Sequence, residues 1–241
     1  MTKFIANATR LIKDIVFPVQ CLGNCGTYDT WLCPACSNQI FNELDPECPH
    51  CRRKQQSNKT CSKCQTQTAL DGLIILTDYQ SPLIQKLIQS FKYKYVEDIG
   101  KLFGQRLAQK LCSCLNTHGL IKNNTIITTV PLHWKRKNER GYNQSEIIAN
   151  SLTDTLDVGV NHDTLTRPVY TSSQAKLKRH ERLKNLNNSF QLKTGVVLSG
   201  QNVIIIDDVA TTTATLGECA KILKRAGANS VWGAVIARSN L

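Results

Sequence analysis

Eight cysteines crowd into the stretch from Cys21 to Cys64, spaced Cys21-x3-Cys25, Cys33-x2-Cys36, Cys48-x2-Cys51 and Cys61-x2-Cys64. No other feature limits the fold so tightly, because each close pair suits a tight turn that aims two thiolates at one tetrahedral zinc about 2.3 Å away. Four pairs make two four-cysteine sites, and the spacing allows the pairs to join in order or interleaved. Turn-forming residues stand where such knuckles need them, in CLGNCG, CPAC and CPHC. His50, inside the third pair, reads as an exposed bystander rather than a ligand. A disulfide framework is the competing use of paired cysteines and belongs to secreted domains. Here Arg10, Lys13 and Asp14 interrupt any secretory h-region at the N-terminus, so zinc is favoured. All candidate ligands are cysteines, which leaves no position for water and makes the metal structural. The block holds few large aliphatics, so metal binding must supply much of its folding free energy, on the order of 10 kcal/mol per site.

The other three of the eleven cysteines, Cys112, Cys114 and Cys219, are scattered through the rest of the 241 residues. That shift places a boundary near residue 66. Residues 1–66 form an N-terminal helix and zinc-ribbon module, and residues 67–241 a second domain long enough to bury one good core. Phe4, Ile5, Ala8, Leu11, Ile12, Ile15 and Val16 have helical spacing and predict an amphipathic helix packed on its own protein. Hydrophobic residues make up 41% of the chain, as in soluble globular proteins, and no apolar run approaches the 18 or so residues that spanning a bilayer needs. Thiol zinc chemistry and absent export signals predict a cytoplasmic protein without membrane insertion. Lys and Arg number 30 against 18 acidic residues, a formal charge of +12, which favours a polyanionic partner or a phosphorylated ligand.

Past the boundary, strand and helix patterns alternate. DGLIILTDY reads as a strand, and Leu83, Leu87, Ile88 and Phe91 as a helical stripe ending in FKYKY. A second helix is expected from about Glu97 to Cys114. NTIITTVPLH reads as a buried strand ending at Pro131, and QSEIIANSLTDTL as a helix. QNVIIIDD is the next strand, TATLGECAKILKRAGA a helix stopped at Gly227, and SVWGAVIAR a last strand. Such alternation with short turns implies an α/β fold with a mostly parallel sheet and helices on both faces. Ligands of such sheets bind beyond the carboxyl ends of the strands.

One of those ends carries two adjacent carboxylates. Val203 to Ile206 show no alternation, so the strand is covered on both faces, and Asp207 and Asp208 are expected to project from its rigid end. Carboxylates accept hydrogen bonds from vicinal sugar hydroxyls. The threonine-rich turn that follows opens a helix, whose backbone N–H groups and dipole favour a phosphate. Two carboxylates for a ribose and an amide cradle for its phosphate describe a ribose-5-phosphate site.

An aliphatic strand, two acidic residues and a threonine-rich loop resemble the signature of type I phosphoribosyltransferases. The resemblance implies that Asp207 and Asp208 hold the ribose of phosphoribosyl pyrophosphate as the catalytic acidic pair. It gives Thr211, Thr212, Thr213, Ala214 and Thr215 to the 5-phosphate. Together with the cysteine module, VPLHWKRKNERGYNQSE and SSQAKLKRHERLKNLNNSF resemble the ComF competence family, which includes the GntX-like proteins. On that resemblance Pro131, Leu132 and His133 lie at the pyrophosphate loop. Arg140, Gly141, Asn143 and Gln144 match the family's RGxNQ stretch, and Gln174, Arg182 and Asn185 match its downstream positions. One departure is Thr213, where the usual loop has Gly; a β-branched residue at positive φ costs roughly 1–3 kcal/mol or forces a different loop.

An enzyme of this type displaces pyrophosphate from C1 of the ribose by a nitrogenous nucleophile, with Mg²⁺ bridging pyrophosphate and sugar oxygens. Lys135, Arg136, Lys137 and Arg140 can supply charge to the leaving group. The family resemblance implies a role in DNA uptake instead, with single-stranded DNA as ligand and an uptake helicase as partner. HWKRKNERGY and FKYKY interleave cations with aromatics that can stack on bases. KLKRHERLK adds Lys176, Lys178, Arg179 and Arg182. The two readings are compatible, because a ribosyl-phosphate site can also take a nucleotide or a DNA terminus.

Overall fold

The computed structural model describes residues 18–94, 96–118, 120, 124–153, 155–170 and 189–239. The expected N-terminal amphipathic helix lies outside them. In chain order the elements are α1 (Pro34–Ile40), β1 (Gly72–Asp78), α2 (Pro82–Tyr93), α3 (Glu97–Thr117), β2 (Thr125–Thr129), α4 (Trp134–Arg140), α5 (Gln144–Asn150), β3 (Gly159–Val160), β4 (Leu165–Thr166), β5 (Gln191–Leu192), β6 (Asn202–Ala210), α6 (Ala214–Arg225) and β7 (Ser230–Arg238). The α/β architecture is the one expected, and the four-cysteine groups stand at its N-terminal end.

Five strands form a parallel sheet in the order β1-β7-β6-β2-β3, and β4 pairs antiparallel with β5 beside it. The lack of alternation in β6 has the expected cause. Ile204 and Ile206 pack on one face with Phe91 of α2, Phe103 of α3 and Ile148 of α5. Val203 and Ile205 pack on the other with Leu216 and Leu223 of α6. All four β6 residues are buried, and each such side chain stabilises the fold by roughly 1.5–3 kcal/mol. Helix α6 stops at Gly227, whose φ of +96° is the left-handed conformation that glycine adopts freely.

Local details depart from the sequence reading. WKRKNER, given no element in the sequence reading, is helix α4, capped by the His133 side chain and ended by Gly141 at φ 71°. Helix α3 runs one turn beyond Cys114. Strand β6 does not stop at the aspartates: its ladder with β7 continues through Asp207 to Ala210, because Val209 and Ala210 find partners in Ala237 and Arg238.

The cysteine block packs against the sheet domain. Cys21, Leu32, Cys33, Cys36 and Ile40 share a hydrophobic cluster with Ile74, Leu87 and Phe103. Thr77 donates to the Ile40 carbonyl, and Arg106 donates to the Ser37 hydroxyl at 2.8 Å. At the other end, Arg238 of β7 pairs with Glu47 and donates to the Pro49 carbonyl. Among the described residues, no helix is long and apolar enough to cross a membrane.

Candidate functional site

The two aspartates lie side by side on β6 and meet different surroundings. Asp208 forms an ion pair with Lys92 near the end of α2, at 2.9 Å, with both side chains more than four-fifths buried. Asp207 has no such cation among the described residues. Its Oδ1 accepts from the Asp208 backbone N–H at 2.8 Å and from the Ser145 hydroxyl at 3.4 Å. Burial, and then the neighbouring Asp208 charge, push the Asp207 carboxyl up to about 7. Two adjacent carboxylates are therefore tolerated because one is neutralised by lysine and the other holds its proton more tightly than usual.

The threonine turn follows at the strand end. Thr213 sits at φ 57°, ψ 10° as the N-cap residue of α6, so this position does need the left-handed conformation that glycine would take without strain. Its hydroxyl lies 2.6 Å from the Thr212 carbonyl and 3.3 Å from the Pro49 carbonyl and shares its single proton between them, contacts that glycine would lack. Arg52 donates to the Thr211 and Ser239 carbonyls, each at 2.8 Å. The turn is thus held from the cysteine block. The Thr212 hydroxyl accepts from the Ala214 N–H at 3.4 Å, and the Thr213 side chain makes no capping bond to the helix.

Pro131, Leu132 and His133 connect β2 to α4. His133 is 4% exposed, and its Nδ1 accepts from the Lys135 N–H at 3.2 Å, which assigns it a capping role. Asn143 caps α5 through the Ser145 N–H and donates to the Val130 carbonyl, each at 3.1 Å. Arg140 donates to Gln144 at 3.0 Å and lies over the Tyr93 ring. The Gln144 side-chain nitrogen is buried without a hydrogen-bond partner among the described residues.

The expected cationic group divides. Lys137 is engaged with Glu146 at 3.1 Å. Lys135 lies over the rings of Trp134 and Tyr170, and Arg136 over Tyr170. Trp134 and Tyr170 are 61% and 47% exposed, so this is a surface cluster of rings and cations. Lys92, read from the sequence among the cations of FKYKY, is taken up by Asp208. Lys176, Lys178, Arg179 and Arg182, with Gln174 and Asn185, lie outside the described residues. Arg167, Tyr170, Ser145 and Arg52 had no signal in a single sequence. Arg167 is buried over the Phe190 ring, and its guanidinium is pushed down from its ordinary value by burial and by Arg136, while Asp207 opposes that shift.

The eight cysteines gather as Cys21, Cys25, Cys33 and Cys36 and as Cys48, Cys51, Cys61 and Cys64, the ligand atoms of each group within 4.8 Å of one another. The pairs thus join in order rather than interleaving. A tetrahedron with bonds of about 2.3 Å has edges of about 3.8 Å; Cys25 and Cys33 Sγ are 3.5 Å apart and Cys51 and Cys61 Sγ 3.8 Å. Backbone N–H groups of Cys33 and Cys61 point at Cys21 and Cys48 Sγ, as expected where the sulfurs carry negative charge. Gly23 is required by closeness: a Cβ there would lie 2.4 Å from Cys36 Sγ. His50 joins neither group. Both groups can hold a metal ion.

No protein-family model matches the chain. Competence protein F of Haemophilus influenzae is 32% identical over 220 residues, covering 89% of this chain and 94% of the relative. The DNA utilization protein YhgH of Escherichia coli K12 is 31% identical over 202 residues, covering 83% and 87%. Competence protein ComFC of Bacillus subtilis is 26% identical over 218 residues, covering 88% and 85%. Among solved structures, a hypoxanthine phosphoribosyltransferase from Staphylococcus aureus overlays at a TM-score of 0.39 and 16% identity, covering 58% of this chain and 65% of its own. That overlay adds nothing to the topology above.

The raised carboxyl makes stability depend on pH. A folded carboxyl with a raised pKa binds its proton more tightly than the unfolded chain does, so folding is penalised as pH rises through the unfolded value near 4 and the penalty is complete above about 7. Asp207→Asn is expected to raise stability at pH 8 by about 1–3 kcal/mol, with the gain shrinking toward pH 4. Thermal melts across that range check this; a variant less stable than the parent at pH 8 contradicts it.

Proposed function

The chain belongs to the competence protein F (ComF) family, and on that premise we propose that it serves DNA utilization through a ribose-phosphate site at Asp207, Asp208 and the Thr211–Thr215 turn. The observation that carries this reading is the Asp207 carboxyl, desolvated and without an ion pair of its own among the described residues. Such a group costs stability unless a ligand uses it. Vicinal hydroxyls of a ribose, or Mg²⁺ bound with phosphoribosyl pyrophosphate, would complement it. The start of α6 supports the phosphate half, because the turn offers backbone N–H groups and the helix dipole favours an anion. Thr213 keeps the backbone conformation that glycine would have, so phosphate binding survives the substitution.

Single-stranded DNA is the polyanion that fits the α4 cluster. Trp134 and Tyr170 offer faces on which bases stack, and Lys135 and Arg136 lie against those rings. Pro131, Leu132 and His133 approach the same rim and would flank the pyrophosphate, with Arg140 nearby. Transfer of the phosphoribosyl group to an acceptor is the second reading; it shares Asp207 and Asp208, and among the described residues no group is placed for an acceptor base. The protein is assigned to the cytoplasm, where thiolates stay reduced, and a helicase of DNA uptake is its expected partner.

Calorimetric titration of the zinc-loaded protein with phosphoribosyl pyrophosphate and Mg²⁺, beside the Asp207→Asn, Asp208→Asn double variant, tests the site. Binding should be lost in the variant, while single-stranded DNA binding is kept or strengthened because two repulsive charges are gone. If about six cations neutralise phosphates, log affinity for the strand falls with log salt at a slope of roughly −4; a slope near zero removes the electrostatic model. Failure of the unaltered protein to bind phosphoribosyl pyrophosphate overturns the ribose-phosphate reading.

Zinc in both four-cysteine groups is the metal the sulfur geometry fits best. Metal analysis should find two zinc ions per chain. Chelation should remove hydrogen-exchange protection across Cys21 to Cys64 and, through Arg52 and Pro49, at Thr211 to Thr213, with the rest of the sheet still protected. Unchanged exchange in excess chelator contradicts this.

A further inference from the structure

Between the second cysteine group and the threonine turn lies a cavity of about 370 Å³. It is lined by four permanent cations, Arg52, Arg53, Lys63 and Arg238, together with Thr211 and Thr212, by Cys51, Cys61 and Cys64 of the second cysteine group, and by no carboxylate; four thiolates on a divalent metal carry a net charge of −2, which leaves the cations in excess. Like charges in one concavity repel, and low-dielectric walls strengthen that repulsion. Arg52 and Arg238 are occupied as struts: one holds the Thr211 and Ser239 carbonyls, the other Glu47 and the Pro49 carbonyl. Arg53 and Lys63 are not. Both are exposed, and neither side chain has a hydrogen-bond or ion-pair partner among the described residues. Arg238 is only 6% exposed, yet its Nε has no partner there either.

We propose that this cavity binds the phosphate group of a nucleotide, free or within a single strand, as an anion site separate from the ribose-phosphate site. Neither aspartate lines it, nor do Ala214 and Thr215; the two sites share only the Thr211–Thr212 turn. Guanidinium forks and threonine hydroxyls are the donors that phosphate oxygens accept from, and the volume leaves room for more than a bare phosphate. The site does not require that Asp207 and Asp208 hold a ribose. It makes the second cysteine group a part of the binding surface as well as a structural staple.

The test uses the full zinc-loaded chain and its Arg53→Glu, Lys63→Glu double variant, titrated with thymidine monophosphate and with an oligothymidylate. A loss of affinity of about tenfold, the size of one charge-assisted contact, is expected for at least one probe. Loss for the monophosphate identifies a free nucleotide as ligand, and loss for the oligomer alone identifies a strand. The Arg53→Gln, Lys63→Gln variant should show a smaller loss in the same probe. Lys59→Glu, exposed on the same block outside the cavity, should not reproduce it. Unchanged affinity for both probes, an equal effect of Lys59→Glu, or no binding of either probe by the unaltered protein overturns the proposal. Binding of phosphoribosyl pyrophosphate by the same variants reports separately on the ribose-phosphate reading.

Discussion

Two carboxylates one residue apart on a strand covered on both faces cannot both be left to repel. Here Lys92 neutralises Asp208, and Asp207 instead has its proton affinity raised by burial. That asymmetry depends on everything packed around β6. The apolar residues of α2, α3 and α5 on one side and of α6 on the other place the end of the strand in protein rather than in water. Lys92 reaches Asp208 only because the stripe Leu87, Ile88 and Phe91 docks α2 on the sheet. A stacked contact between Phe91 and Tyr142, with the Tyr142 hydroxyl donating to the Phe91 carbonyl, ties α2 to the segment that leads into α5 and Ser145. The strand, its flanking helices and the polar groups at its end therefore form one mechanical unit.

The cysteine block completes the rim. Its second group presents Pro49 and Arg52 to the threonine turn, and the strained residue of that turn, Thr213, bonds back to the Pro49 carbonyl. Backbone in the left-handed region costs a β-branched residue roughly 1–2 kcal/mol, and persists where surrounding contacts over-determine it. Those contacts come here from Pro49 and Arg52 of the second cysteine group. The first group serves differently, sharing apolar packing with the sheet domain through Cys33, Cys36 and Ile40.

Much of this was legible in the sequence for physical reasons. Strands buried on both faces lose their alternation, so VIIID and SVWGAVIA declare themselves, and the spacing of the paired cysteines announces their gathering into two groups of four. The departure at Thr213 was legible too, as a choice between strain and a changed loop; the observed φ selects strain. Other features depend on contacts distant in the chain. Nothing in FKYKY distinguishes Lys92, bound to Asp208, from a lysine facing solvent. Arg238, at the end of an apolar strand, acquires its role only because Glu47 and Pro49 come to meet it. The extension of β6 through the aspartates was missed because adjacent carboxylates signal a strand end by polarity, whereas the ladder with β7 continues regardless.

Burial and the Asp208 charge raise the proton affinity of Asp207, on which the proposed ribose-phosphate site depends. Ionisation of Asp207 can be followed directly by carbon-13 resonance of the side-chain carboxyl across a pH series, in the free protein and with phosphoribosyl pyrophosphate and Mg²⁺ present. A midpoint near 7 in the free protein, falling when the ligand is added, is the expected result. A midpoint in the ordinary carboxylate range near 4, or one that the ligand leaves unmoved, would contradict the account.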